Sequence, residues 1–101
     1  GLAIADKTSW TKLKSWVDKV DMLQVLSIPA GKAGQEFHRH NLVKIRHLRR
    51  ICRDCTIEAD GGMNPHIAGL AREYGANVIA AASYIFESKD IEKAIEELQN
   101  T

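Results

Sequence analysis

The chain has two cysteines in 101 residues, no long apolar run and almost no net charge, and each shortage closes off a class of protein. Two cysteines are too few for a disulfide scaffold, so a reducing, cytoplasmic setting is the expectation. No apolar stretch approaches the roughly 18 residues that a spanning helix needs, so no membrane partner is expected. The first residues lack the basic-then-apolar layout of a secretory leader. A net charge of +1 argues against general nucleic-acid binding. Hydrophobic content of 45% and charged content of 27% are ordinary for one small globular domain, taken as residues 1–101. The apolar run begins at residue 1 with no lead-in, which raises the expectation that a preceding part is absent.

What is present is a repeated strand-then-helix rhythm. Residues 2–5 are a short apolar strand. Thr8 or Ser9 can cap an amphipathic helix carrying Trp10, Leu13, Val17 and Val20 on one side. Residues 21–28 form a second strand, apolar enough to be covered on both faces. A loop with Gly31, Lys32 and Gly34 leads to a helix over residues 38–53, with Leu42, Ile45, Leu48 and Ile51 as its stripe. Residues 56–59 are the third strand. Asn64 is a good N-cap, and Pro65 suits the first helical position because its missing N–H would be orphaned there anyway. That helix stops at Gly75. Residues 77–82 form the fourth strand, and Ser88 can cap a last helix with Ile91, Ala94, Ile95 and Leu98 as its apolar face.

Four alternating units imply parallel strands, right-handed crossovers and helices outside the sheet. The expected fold is a (βα)4 half of a TIM barrel, with a small doubly wound open sheet as the alternative. A half-barrel leaves two edge strands unpaired and its inner face bare, so a homodimer or a complementary half is expected to complete it.

The stretch Glu58-Ala59-Asp60-Gly61-Gly62-Met63-Asn64-Pro65 concentrates the chemistry. Asp60 ends a strand, and Gly61 and Gly62 allow backbone angles and close approaches that other residues resist. The carboxyl edge of a parallel sheet is where sites are built. The plain alternative is a tight turn with a surface aspartate. Elsewhere, Cys52 and Cys55 form a C-x-x-C, read as Cys52 packed on the sheet and Cys55 in a turn rather than as a metal or redox pair. Arg39, Lys44, Arg46, Arg49, Arg50 and Arg53 read as the solvated face of an outer helix. Trp10 and Trp16 read as packing or partner-facing residues.

The runs D-M-L-Q-V-L-S-I-P-A-G-K-A-G-Q-E-F, L-V-K-I-R-H-L-R, T-I-E-A-D-G-G-M-N-P and G-A-N-V-I-A-A-A-S-Y-I-F resemble the carboxyl-terminal half of ribulose-phosphate 3-epimerase, over nearly the whole chain. The resemblance implies strands five to eight of that barrel. It implies Asp60 as a catalytic acid/base group and a ligand to a divalent metal (Zn, Mn, Fe or Co) in an assembled site. It also implies phosphate held by the loops at Gly31, Lys32 and Gly34, at Gly61 and Gly62, and at Ala82 and Ser83. A phosphosugar is the implied small-molecule partner, in carbohydrate metabolism. The second carboxylate and the metal-binding histidines of the family have no match here. His38, His40, His47 and His66 lie in or beside helices. The family's loop after its sixth strand reads roughly N-P-G-F-G-G-Q, where this chain has Pro29-Ala30-Gly31-Lys32-Ala33-Gly34-Gln35. Leu26 stands where a methionine is usual, and Ala82 where a glycine is usual. The expectation is a half-barrel that is non-catalytic alone, self-associates and keeps at most a phosphate site. The alternative is a pentulose-phosphate 3-epimerase completed by a partner half.

Overall fold

The computed structural model describes residues 1–5, 7–26, 39–61, 63–81 and 88–100. Four strands, β1 (Leu2–Ile4), β2 (Met22–Leu26), β3 (Thr56–Asp60) and β4 (Val78–Ala80), pair in sequence order. All three pairings are parallel. Among the described residues three α-helices accompany them: α1 (Arg39–Ile51), α2 (Pro65–Tyr74) and α3 (Ile91–Gln99). This is the α/β half-barrel expected from the alternation, with β1 and β4 as its edges.

The register divides the sheet into two faces. Leu23, Val25, Ile57 and Ala59 are fully buried and join one core with Leu42, Ile45 and Leu48 of α1, Ala68 and Ala71 of α2, and Leu98 of α3. Burying each large aliphatic side chain contributes about 1.5–3 kcal/mol, so this helix-covered face holds the fold. Met22, Gln24, Leu26, Thr56, Glu58 and Asp60 alternate with the buried set and are only half-buried. β2 is therefore not covered equally on both sides, as its apolar run suggested. Its second face is the side that a closed barrel turns inward.

The segment after β1 also departs from expectation. A 3-10 helix spans Trp10–Leu13, with Ser9 as N-cap, in place of a full amphipathic α-helix. The bonds that wind it run three residues back: Lys12 N–H to Ser9, Lys14 to Thr11, Trp16 to Leu13 and Lys19 to Trp16. Thr8, Ser9, Thr11 and Ser15 are short polar or β-branched residues that compete with α-helical bonding. The Ser9 hydroxyl pairs with that of Thr11 at 2.9 Å. Trp10 lies flat against His47 of α1, with ring centroids 4.7 Å apart, while Trp16 is 48% exposed.

Helix ends follow the sequence with one exchange. Asn64 caps α2 by accepting from the Ile67 N–H at 2.9 Å, worth about 1 kcal/mol, and Gly75 ends it at φ +127°. The cap of α3 is Asp90, accepting from the Lys93 N–H, not Ser88. Ser88 instead accepts from the Asp90 N–H. Asp90 directly precedes the first helical residue, which is where a capping oxygen reaches the free amides.

Two basic residues assigned to solvent turn inward. Lys44 is buried and its Nζ donates to the Ala5 carbonyl just past β1 at 3.1 Å. Arg49 donates through Nε to the Gly75 carbonyl, and through Nη1 to the carbonyls of Cys52, Arg53 and Cys55, at 2.8–3.1 Å. Arg39, Arg46, Arg50 and Arg53 are exposed as expected. Cys52 and Cys55 are joined by a disulfide, a pairing that the sequence reading set aside. A three-residue separation across the turn that ends α1 brings their Cα atoms to 5.6 Å.

A Cβ added at Gly75 would lie 2.7 Å from Arg49 Cβ and 2.9 Å from its Cγ, in a backbone conformation that L residues avoid. Gly75→Ala is therefore expected to lower unfolding stability by about 2 kcal/mol or more in urea titration. An unchanged midpoint would refute this packing of Arg49 against the end of α2.

Candidate functional site

The carboxyl edge of the sheet is set by the register row Leu26, Asp60 and Ala80. Asp60 is the last residue of β3 and shares its half-buried face with Glu58, because Ile57 and Ala59 take the core side. Gly61 follows with φ +102°, a conformation that glycine alone adopts without cost. Met63 is buried and anchors the far side of the turn before the Asn64 cap. A short segment thus turns from strand to helix and fixes the carboxylate beside the start of α2, where free backbone amides favour negative charge.

One row deeper lie Ala3, Gln24, Glu58 and Val78. Gln24 Nε2 donates to Glu58 Oε2, so the two central strands share a polar pair on the inner face. The motif alone gives neither residue a role. Their signal was the two-residue spacing, Gln24 to Leu26 and Glu58 to Asp60, which puts each on the face of the edge row.

Burial pushes the Asp60 carboxyl above its ordinary value of 3.8, and the negative charge of Glu58 pushes the same way. A hydrogen bond from the Gly61 N–H pulls in the opposite direction. A carboxyl raised toward neutrality is better matched to giving and taking protons near neutral pH.

Among the other expected site residues, Gly31, Lys32, Gly34, Gly62, Ala82 and Ser83 lie outside the described residues, as does His38. His40 and His66 are exposed on α1 and α2, and His47 is occupied with Trp10. Among the described residues no three His, Cys, Asp or Glu side chains converge as a metal site. Asp60 alone does not hold a divalent ion, so the remaining donors would have to come from outside this set. A cavity of about 230 Å³ opens between β4, α2 and α3, lined by Arg72, Asn77, Ile79, Ile95, Leu98 and Gln99. It holds none of the expected site residues. No described helix is long and apolar enough to cross a membrane.

The raised Asp60 value carries a sign. The folded chain holds this proton more tightly than the unfolded chain, so the associated stability is present below the ordinary value of 3.8 and is lost as pH climbs through the raised folded value. Asp60→Asn removes that loss. Thermal melts from about pH 3 to 7 should show the variant gaining on the parent as pH rises. A difference in melting temperature that stays constant across that range would refute the assignment.

The profile of the Ribulose-phosphate 3 epimerase family matches residues 1–86. The chain is 34% identical to ribulose-phosphate 3-epimerase of Schizosaccharomyces pombe over 101 residues, covering all of this chain and 44% of the relative. It is 30% identical to the Bacillus subtilis enzyme of the same name over 106 aligned positions, covering 100% of this chain and 49% of the relative. It is 33% identical to the chloroplastic ribulose-5-phosphate-3-epimerase of Arabidopsis thaliana over 99 residues, covering 94% and 35%. The chain spans about half the length of these curated relatives, or less. Sequence, parallel half-barrel and the Asp60 turn agree: the chain belongs to the ribulose-phosphate 3-epimerase family.

Proposed function

We propose that these 101 residues act as the carboxyl-terminal half of an epimerase-type barrel, inactive alone, self-associating and holding phosphate through its loops. The observation that carries this reading is the inner face. It presents Asp60 at the carboxyl edge with a raised carboxyl, yet no second and third metal-binding side chain converges among the described residues. Epimerisation next to a ketone needs an acid/base group on each side of the carbon. Asp60 serves one side, and the other must be supplied from elsewhere. Two open edges, β1 and β4, and exposed Ile91 and Ile95 on α3 support association, since unpaired strands and apolar patches favour a partner.

Phosphate binding rests on backbone N–H groups at Gly31, Gly34, Gly61, Gly62, Ala82 and Ser83, with Lys32 adding charge. Such groups hold an anion without a dedicated side chain. The alternative reading, favoured by the placement of Asp60, is a pentulose-phosphate 3-epimerase once a complementary half is bound. Asp60 would then exchange the proton at the reacting carbon from one face.

Three measurements separate these readings. Light scattering of the purified chain should give a mass above that of the monomer, and a folded monomer would overturn self-association. Titration with inorganic phosphate should shift the amide resonances of Gly61 and Gly62 together with those of Gly31, Gly34 and Ser83. Unmoved signals at millimolar phosphate would remove the anion site. Epimerase activity should be absent from the chain alone and appear when the amino-terminal half of a relative is added with divalent metal. In the mixture Asp60→Asn should lower the rate by about 10²–10⁴-fold. Turnover by the chain alone that this change abolishes would sink the inactive-half reading.

A further inference from the structure

We infer that Cys52 and Cys55 form a thiol–disulfide exchange site, with Cys52 as the sulfur attacked from solution and Cys55 as the buried resolving partner. The bridge lies in the turn between α1 and β3, the pole of the sheet opposite Asp60. The two sulfurs are not equivalent. Cys52 is half-buried, while Cys55 is buried and joins the core.

Cys55 Sγ lies 3.6 Å from the Val17 carbonyl. A bridged sulfur has no hydrogen to give that oxygen, whereas the reduced thiol has one. Reduction therefore creates a hydrogen bond at Cys55 and a ready place for the departing sulfur. The turn does not rely on the bridge for its shape, because Arg49 Nη1 donates to the carbonyls of Cys52, Arg53 and Cys55. Both cysteines stay in pairing position when the bond is open. Arg49 places its guanidinium on the carbonyls of this turn, and Arg50 and Arg53 adjoin the pair in sequence, with Asp54 as the acidic residue between the cysteines. A nearby cation favours the thiolate of a freed cysteine, which the reverse, bridge-forming step uses.

The step balances with a thiol as co-reactant, either a small-molecule thiol or a protein dithiol. Its thiolate attacks Cys52 Sγ, the Cys52–Cys55 bond breaks, and the electron pair leaves on Cys55, which takes a proton. A mixed disulfide remains at Cys52. A second thiolate attacks the co-reactant's sulfur, freeing Cys52 and leaving as the oxidised disulfide. Two electrons and two protons pass from two thiols to the bridge, and the reverse sequence re-forms it.

Equilibration of the full chain in mixtures of reduced and oxidised glutathione, quenched with a maleimide and weighed by mass spectrometry, tests this. The expected result is a reversible change between zero and two labelled thiols per chain, with the far-ultraviolet circular dichroism unchanged. Cys55→Ser should capture one glutathionyl group at Cys52 at least about tenfold faster than Cys52→Ser captures one at Cys55. Labelling that appears only after unfolding, equal capture by the two variants, or failure of the bridge to re-form in oxidised glutathione would each overturn the proposal.

Discussion

The fold is held at one pole by a single guanidinium. Arg49 reaches from the last turn of α1 to four backbone carbonyls, three in the turn that enters β3 and one at Gly75, where α2 ends. Carbonyls at helix ends have no partner within their own helix, and a cation there meets both the hydrogen-bonding need and the helix dipole. Because those carbonyls belong to two helix ends and a strand entrance, one side chain sets the relative height of α1, α2 and β3. Gly75 is part of the same arrangement, since any larger residue would collide with the stem of Arg49.

That pole frees the other. The carboxyl edge, where Asp60 ends β3, needs strained or unusual backbone such as Gly61 at φ +102°. Parallel sheets tolerate such loops because the core lies below them. Lys44 adds a smaller tie on the core side by donating to Ala5 past the end of β1. Between the poles, Gln24 and Glu58 put a hydrogen-bonded polar pair on the inner face. Its charge contributes to the upward shift of Asp60. Anchoring and chemistry are therefore divided along the strands, as the barrel architecture allows.

The sequence disclosed those parts that are local. The alternation of strand and helix patterns, the Asn64-Pro65 start and the Gly75 stop each depend on residues within one turn of the chain, and each stands in the structure. The resemblance to the epimerase family likewise rested on runs quoted without reference to contacts. What escaped depends on residues far apart. Arg49 meets Gly75 across 26 positions and Lys44 meets Ala5 across 39, so a helical wheel could only assign them to solvent. Gln24 finds Glu58 through strand register, which no periodicity supplies. The segment after β1 failed for the opposite reason. Its apolar spacing was right for a helix, but Ser9 and Thr11 hold the backbone in tighter turns. The Cys52–Cys55 pair falls where a helix runs into a strand and has no second pair beside it, which points to packing, although the spacing alone permits a bridge.

The stacking of Trp10 on His47 has a spectroscopic consequence. The chain carries two indoles in unlike surroundings: Trp10 is stacked on the imidazole with the Lys14 ammonium 5.6 Å from its ring centroid, and Trp16 is about half exposed with the Lys19 ammonium 5.4 Å from its own. The Trp10 stacking depends on the segment between β1 and β2 lying against α1, so a change in the chain's own fluorescence is the expected report of that docking, without any added label.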